Sequence, residues 1–293
     1  MEVEVIKTIS IFGAGTMGHG IAQIMAQQGY RVLLGDVKQD LLDTAIDRVK
    51  KSLQKLAEKG KIDQDEAKGT LSRITGTTDM EKVAGNADFL IEAIPERLDA
   101  KKELFRQLDK VCRVETIFAT NTSTLSITEI ASVTERPERF IGMHFFNPVP
   151  LTSMVEIVKG LLTSDEITEL TRKLVLDLGR EPIIVKDSPG FASSRLGVAL
   201  FLEASRMLEE GVASAEDIDK AMKLGYGHRM GPFETCDLVG LDARLNNINA
   251  LYEATHDPLW QPPQLLKQLV SASYLGKKPG SKGGYYAYFG LGK

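Results

Sequence analysis

Cysteine and histidine are scarce in this sequence, and neither sign of charge dominates it. With only 2 cysteines, Cys112 and Cys236, a disulfide scaffold is excluded and a reducing compartment such as the cytosol is predicted. Neither cysteine has a second thiol close by in the sequence, so no metal site is predicted. The 36 basic and 40 acidic residues leave a net charge of -4, which provides no global field for holding nucleic acid.

Long apolar runs are also missing, so no segment is expected to span a bilayer. The sequence opens with acidic residues, and neither a signal peptide nor a transit peptide is predicted there. What the 293 residues do provide is an ordinary globular composition, 43% hydrophobic and 26% charged. We therefore expect a cytoplasmic globular protein of one large or two smaller domains, without membrane or nucleic-acid partners.

Short β-rich runs alternate with helical patterns through the first half of the chain. Strands are predicted at residues 5–12, 31–34, 88–93, 117–120, 140–145, 154–158 and 183–185, and helices at 17–28, 39–58 and 99–111. A polar, hairpin-like segment is predicted around residues 59–70. The alternation predicts the α/β class, with right-handed crossovers and a mainly parallel, doubly wound sheet of the Rossmann type.

Beyond residue 185 the pattern becomes purely helical. Asp187-Ser188-Pro189-Gly190 is typical of a helix start. Helical patterns follow over residues 191–210, from a Ser214 cap to about 225, and over 232–255 and 263–274. We therefore predict a sheet domain at residues 1–187 and an all-helical C-terminal domain at 188–293.

The segment Gly13-Ala14-Gly15-Thr16-Met17-Gly18 follows a predicted strand and begins a predicted helix. In that context the first glycine allows a tight turn, the second lets the backbone approach a pyrophosphate, and the third lets helix pack on strand. Asp36 ends the next strand, where an acid binds ribose hydroxyls and favours NAD over NADP, although Lys38 softens that preference. These features predict an NAD site; a glycine-rich turn without ligand is the alternative.

His144 carries the strongest catalytic signal among the 4 histidines. It ends an apolar predicted strand, and ligands bind at such strand ends. Twelve residues later Glu156 interrupts another apolar strand, and an acid between valine and isoleucine needs a partner if it is buried. An imidazole N–H would supply that partner, and the acid would orient the histidine as a base. A glutamate facing water and a histidine filling the core are the alternatives that spacing leaves open.

Several blocks occur together in a recognisable order. They are the glycine motif at 13–18, Asn121-Thr122-Ser123, the run from His144 to Pro150, Glu156, and Gly276-Lys277-Lys278. Over nearly the whole chain they resemble the L-3-hydroxyacyl-CoA dehydrogenases, including the bacterial 3-hydroxybutyryl-CoA dehydrogenases. The resemblance implies a homodimer that oxidises an (S)-3-hydroxyacyl-CoA, such as 3-hydroxybutyryl-CoA, reversibly with NAD.

The resemblance also implies roles for individual residues. His144 would be the general base or acid, Glu156 would orient it, and Ser123 would hold the substrate's 3-oxygen. Ser52 and Lys59, on a locally basic helix, would receive the CoA carrier together with Ser123. Cofactor contacts are implied for a larger set: Gly13, Gly15, Thr16, Met17, Gly18, Asp36, Glu96, Lys101, Ser123, Asn147 and Lys278. Without the resemblance, Lys101 and Lys278 would be interpreted as solvated surface charges.

One departure from the family pattern bears on the active site. The family carries Gly-Phe-x-x-Asn-Arg at the start of the second domain, whereas Ser194 stands here in place of the asparagine, with a shorter side chain and one donor. We include Ser194 in the catalytic set. Two other functions stay open: oxidation of a free hydroxy acid on the same fold, and a structural NAD-binding protein without catalysis.

Overall fold

The computed structural model describes residues 3–291. The chain divides after Ser188 into two compact units. Each unit has a core of its own, one built on a sheet and one on helices.

A single sheet organises the first unit, in the order β3-β2-β1-β4-β5-β6-β7-β8. The strands are β1 (Thr8–Phe12), β2 (Arg31–Gly35), β3 (Ile74–Thr77), β4 (Phe89–Glu92), β5 (Ile117–Thr120), β6 (Phe140–Phe145), β7 (Met154–Lys159) and β8 (Glu181–Lys186). All neighbours pair in parallel except β6 and β7, which are antiparallel. The strand order reverses direction between β1 and β4, and ligands of such sheets bind at the carboxyl ends beside that point. The Rossmann-type fold predicted from the sequence is confirmed.

Helices lie between the strands of the first unit. They are α1 (Gly18–Gln27), α2 (Gln39–Glu58), α3 (Gln64–Ser72), α4 (Met80–Ala84), α5 (Leu98–Val111), α6 (Ile127–Ala131) and α7 (Asp165–Asp177). The long helix α2 buries Leu42, Ala45, Val49 and Leu53, whose spacing of three and four residues places them on one face. Its opposite face is polar, which explains why this helix was readily predicted.

Two local predictions within residues 59–190 are wrong. The hairpin-like segment predicted at 59–70 contains α3, because the carboxylate of Asp63 accepts a hydrogen bond from the Glu66 amide at 2.7 Å and caps the helix. The helix start predicted at 187–190 is also misplaced. Asp187 instead accepts hydrogen bonds from Ser126 Oγ and the Thr128 amide, both at 2.8 Å, and so fixes the start of α6.

The second unit is helical, as predicted. Its helices are α8 (Ser193–Glu209), α9 (Ala215–Lys220), α10 (Pro232–Val239), α11 (Leu241–Thr255), α12 (Gln264–Ser271) and α13 (Tyr285–Tyr288). The pattern predicted as one helix over 232–255 is two, because Gly240 takes a φ of 105° and ends α10. Phe201, Phe233 and Tyr285 form the aromatic centre of this unit, with ring centroids 4.9–6.0 Å apart.

Both cysteines are buried and free, Cys112 in the first unit and Cys236 in the second. Burial raises the pKa of each thiol to about 12, so neither is a thiolate near neutral pH. Among residues 3–291, no helix is long and apolar enough to cross a membrane. The cytoplasmic location stays a prediction.

Candidate active site

A cavity of about 700 Å³ opens where β1 and β2 end and α1 begins. Its lining residues come from the glycine segment, from the end of β2 and from the loop after β4: Phe12, Gly13, Gly15, Thr16, Met17, Asp36, Val37, Lys38, Leu41, Ala93, Ile94 and Pro95. The cavity lies beside the point where the strand order reverses, which is where a dinucleotide binds in this architecture.

The three motif glycines meet three different constraints. Gly13 takes a φ of 112°, and a Cβ there would lie 2.6 Å from the Ala93 carbonyl group. A Cβ on Gly18 would lie 1.7 Å from the carbonyl oxygen of Gly13, so α1 could not pack this close to the loop. A Cβ on Gly15 would have no atom within 4 Å, and the position lines the cavity. The second glycine therefore leaves room for a ligand rather than for protein, which fits a bound pyrophosphate.

Asp36 fixes this loop with its own side chain. Its Oδ2 accepts a hydrogen bond from the Ala14 amide at 2.7 Å, and its Oδ1 accepts one from the Val37 amide at 2.7 Å. The carboxylate is partly exposed and lines the cavity. Lone pairs left on its oxygens can accept hydrogen bonds from ribose hydroxyls, and its charge disfavours a 2′-phosphate. Lys38 also lines the cavity.

His144 and Glu156 face each other across the antiparallel pair of β6 and β7. They are directly opposite in register, and His144 Nδ1 lies 2.7 Å from Glu156 Oε2. Both side chains are buried. An ionised glutamate can only accept, so Nδ1 carries the proton and Nε2 is the nitrogen able to take a proton from a substrate. The antiparallel register brings the two predicted residues together.

The residues around His144 hold its strand end in place. Asn121, after β5, accepts a hydrogen bond from the Phe145 amide through Oδ1 at 2.9 Å. The Phe146 ring centroid lies 4.4 Å from that of His144. Asn147 follows directly and is exposed.

Ser123 lies in the loop after β5, bound to Glu96. Glu96 Oε1 accepts hydrogen bonds from the Ser123 amide at 2.8 Å, from Ser123 Oγ at 3.3 Å and from Thr122 Oγ1 at 2.5 Å. Burial alone would raise the pKa of Glu96, but the charge of Lys101 and these hydrogen bonds outweigh it and lower the pKa below its ordinary value. Glu96 is therefore an anion that orders the loop after β5 that carries Ser123 (the serine loop).

Lys101 is buried rather than solvated, so its interpretation as a surface charge is wrong. Only 1% of its side chain is exposed, and Nζ lies 2.6 Å from Glu92 Oε1 and 3.4 Å from Glu96 Oε2. Glu92 is fully buried at the end of β4. Burial raises the pKa of Glu92, and Lys101 opposes that shift. The lysine thus joins two carboxylates beneath the loop that carries Ser123.

The residues expected at the CoA carrier lie on and just after α2. Ser52 is half-buried within the helix, and Lys59 is its exposed C-terminal cap residue. Four further basic side chains on α2 are exposed: Arg48, Lys50, Lys51 and Lys55. Lys51 is paired with Asp47 at 2.6 Å. The helix therefore presents a locally basic surface.

Two expected site residues belong to the second unit. Ser194 lies in the first turn of α8. Lys278 donates to Asp242 Oδ1 at 2.5 Å, and its side chain crosses Gly240, where a Cβ would lie 2.3 Å from Lys278 Cε. Lys278 is therefore held by an ion pair and is not an isolated surface charge.

Sequence reasoning missed Glu92 and assigned no role to Asn121 and Thr122. Glu92 ends the apolar strand Phe89–Glu92, which is the same signal that singled out Glu156. In the structure Asn121 binds the end of β6, and Thr122 binds Glu96.

Comparison with known families and proteins agrees with this geometry. The family model for the 3-hydroxyacyl-CoA dehydrogenase NAD-binding domain matches residues 8–188, and that for the C-terminal domain matches residues 190–288. The chain is 42% identical over 280 residues to a 3-hydroxybutyryl-CoA dehydrogenase of Clostridioides difficile, covering 96% of this chain and 99% of that one. It is 44% identical over 289 residues to the mitochondrial hydroxyacyl-coenzyme A dehydrogenase of Sus scrofa, covering 97% and 91%.

A solved structure is equally similar. The (S)-3-hydroxybutyryl-CoA dehydrogenase of Ralstonia eutropha superposes with a TM-score of 0.92 at 41% identity, covering 98% of this chain and 100% of that one. NAD is the cofactor, as the glycine segment and Asp36 predicted. From the site, both family models and relatives similar over almost their whole length, we conclude that the chain belongs to the 3-hydroxyacyl-CoA dehydrogenase family of NAD-dependent oxidoreductases.

Proposed function

We propose that the protein interconverts (S)-3-hydroxyacyl-CoA and 3-oxoacyl-CoA, with 3-hydroxybutyryl-CoA as a substrate. The buried 2.7 Å contact between His144 and Glu156 carries this proposal, because it provides an oriented base at the carboxyl end of β6. Relatives named as 3-hydroxybutyryl-CoA dehydrogenases support the choice of substrate.

In the proposed mechanism, His144 Nε2 takes the proton of the 3-hydroxyl group while a hydride leaves the same carbon. Bound NAD supplies the hydride acceptor. Glu156 holds the imidazole in the required tautomer and stabilises the imidazolium. Ser123 donates a hydrogen bond to the 3-oxygen, and Ser194 takes the positioning role of the family's asparagine. In the reverse direction His144 returns the proton to that oxygen.

The cofactor residues of this proposal fall into two groups. Gly13, Gly15, Thr16, Met17, Gly18 and Asp36 hold the pyrophosphate and the adenosine ribose. Glu96, Lys101, Ser123, Asn147 and Lys278 serve the nicotinamide half. The fit of the first group rests on the cavity that most of them line and on the free space at Gly15.

The CoA carrier is proposed to bind along α2. Ser52 and Lys59 contact it, and the exposed basic side chains of the helix attract its phosphate groups. We further propose that residues 1–187 bind NAD, and that residues 188–293 bind the acyl substrate and form a homodimer.

The test is turnover of acetoacetyl-CoA with NADH, beside free acetoacetate. The intact protein should oxidise NADH with the thioester and not with the free acid. His144→Gln should reduce kcat by ~10²–10⁴-fold, because the base is lost, while NADH binding persists.

His228→Gln is the matched control, since His228 is exposed in a loop of the second unit. It should leave kcat unchanged. Near-normal turnover by His144→Gln would contradict the proposed role. Turnover of the free acid alone would favour a hydroxy-acid dehydrogenase, and no turnover of either would favour a structural NAD-binding protein.

A further inference from the structure

Glu92 is a fully buried carboxylate that the proposed mechanism does not use. Its Oε1 accepts hydrogen bonds from Lys101 Nζ at 2.6 Å and from the Ile94 amide at 2.7 Å. Its Oε2 accepts one from Thr120 Oγ1 at 2.6 Å. Three donors on β5, on α5 and in the loop after β4 thus stabilise a charge that burial alone would disfavour.

Lys101 relays this contact to the serine loop. Its ammonium group has three protons, and three acceptors surround it: Glu92 Oε1, the Ile94 carbonyl at 3.3 Å and Glu96 Oε2 at 3.4 Å. Glu96 in turn binds Ser123 through its other oxygen. Glu92 therefore connects with the serine loop through two ion pairs.

The cluster places one ammonium group between two carboxyl groups. Glu92 is the nearer and more buried partner of Lys101, whereas 37% of the Glu96 side chain is exposed. If the negative charge of Glu92 neutralises the positive charge of Lys101, the negative charge of Glu96 remains uncompensated on the exposed side of the cluster. The oxidised nicotinamide ring is positively charged and the reduced ring is neutral, so a residual negative charge distinguishes the two.

We propose that Glu92 is a positioning residue that neutralises Lys101, so that Glu96 favours the oxidised over the reduced cofactor. This rests on the proposed function, in which Glu96 serves the nicotinamide half. Glu92 touches neither substrate nor cofactor and acts through Lys101. Removing the charge of Glu92 leaves Lys101 and Glu96 as a neutral pair, so the preference for the oxidised over the reduced cofactor should fall.

The test measures Kd for NAD⁺ and for NADH on the same preparation of the full-length protein, without any CoA thioester. In Glu92→Gln the ratio of the two Kd values, NAD⁺ over NADH, should rise about tenfold, because the oxidised ring loses its attraction. Glu92→Asp retains the charge and should keep the ratio within about twofold of the original. Both Kd values of a variant come from the same preparation, so an unfolded fraction affects both equally and does not change their ratio.

A double-mutant cycle with Lys101 distinguishes a positioning role of Glu92 from a general structural role. In a Lys101→Met background, burial without the lysine should keep the Glu92 carboxyl group neutral. Glu92→Gln then removes no charge and should change the ratio by less than about twofold. If Glu92→Gln fails to fold, Thr120→Val removes one hydrogen bond to Glu92 and should shift the ratio in the same direction by less. An equal loss of both affinities in Glu92→Gln, or the same shift in both backgrounds, would overturn the proposal.

These binding ratios do not depend on which substrate is turned over. A protein that reduces acetoacetyl-CoA but whose ratio is unaffected by Glu92→Gln would refute the role of Glu92 alone. A protein that reduces no thioester but shows the shifted ratio would refute the proposed substrate alone.

Discussion

At the scale of single residues, the carboxylate of Asp36 has both a structural and a proposed ligand-binding role. It holds the glycine loop through the Ala14 amide and borders the cavity where the adenosine ribose is proposed to bind. Because its charge opposes a 2′-phosphate, it should be the main source of selectivity against NADP, with Lys38 acting in the opposite direction.

Asp36→Asn should lower the preference for NADH over NADPH by about tenfold, which corresponds to ~1.4 kcal/mol. The negative charge is lost while one carbonyl oxygen remains to accept hydrogen bonds. The measurement is the ratio of kcat/KM for the two reduced cofactors. Asp40→Asn, on the exposed first turn of α2, is the control and should leave the ratio unchanged. An unaltered ratio in Asp36→Asn would show that another group sets the preference.

Residues whose signal is local could be predicted from the sequence. The glycine segment and Asp36 meet in the structure because a strand, a turn and a helix follow each other directly along the chain. Lys101 could not be interpreted correctly by itself, because its burial depends on Glu92, which lies on another element. A lysine on an amphipathic helix looks solvated until its partner is known.

At the scale of elements, Asp88 joins three segments of the first unit. Its Oδ2 accepts hydrogen bonds from the Lys7 and Thr8 amides, both at 2.8 Å, and its Oδ1 accepts one from Arg113 Nη2 at 2.6 Å. Burial alone would raise the pKa of Asp88, but these three donors lower it below its ordinary value. The start of β1, the start of β4 and the segment after α5 thus share one anion.

Asp88→Asn should reduce the free energy of unfolding by about 1–3 kcal/mol at neutral pH, because charge-assisted hydrogen bonds are lost. A lowered folded pKa means that the stabilisation is present above the unfolded pKa and disappears as pH falls through the folded value. The difference between the two proteins should therefore shrink below about pH 4. Urea denaturation at several pH values measures it.

Glu115→Gln, at an exposed position before β5, is the matched control and should change stability little at any pH. If the loss of unfolding free energy in Asp88→Asn did not become smaller in acid, packing and not the carboxylate charge would stabilise the contact between these three segments.

The helix α2, which has a strong apolar face, was predicted with its correct bounds, whereas α7, which also buries one face, was not predicted. The short strand β5 was predicted at its observed residues, but α3, α4, α6 and β3 were not predicted, because the stability of these short elements comes from contacts rather than from periodicity. The helix α3 buries only Thr70 and depends on its Asp63 cap. The strand β3 has no fully buried residue and is held by its ladder with β2.

At the scale of the whole molecule, the prediction that remains open is the homodimer. Three apolar side chains of α8, those of Val198, Phe201 and Leu202, are buried within the second unit. Leu196 and Leu200, one helical turn apart, are 66% and 40% exposed. An apolar pair on the surface of a helix is suited to an isologous contact.

The particle in solution should have twice the 32.2 kDa mass of one chain, and Leu196→Glu with Leu200→Glu should reduce it to one chain. Light scattering after size-exclusion chromatography measures the mass. Val114→Glu, at a position 74% exposed in the first unit, is the control and should leave the mass unchanged. A monomeric original protein, or a double variant that keeps the doubled mass, would exclude this surface as the interface.

The mainly parallel sheet was predicted, but its antiparallel pair was not. Strands β6 and β7 are joined by residues 146–153, a connection too short for a parallel crossover, which needs about a dozen residues or more. The shortness of this connection could therefore have predicted the antiparallel pair from the sequence.

The register of β6 against β7 has a consequence for which insertions the protein tolerates. His144 meets Glu156 because each occupies a fixed rung of one ladder between interior strands. A residue added to the connection at 146–153 leaves those rungs intact. A residue added within β7 before Glu156 would turn this carboxylate to the opposite face of the sheet. Natural variation in chain length should therefore be confined to the connection, with the strands on either side of it constant in length.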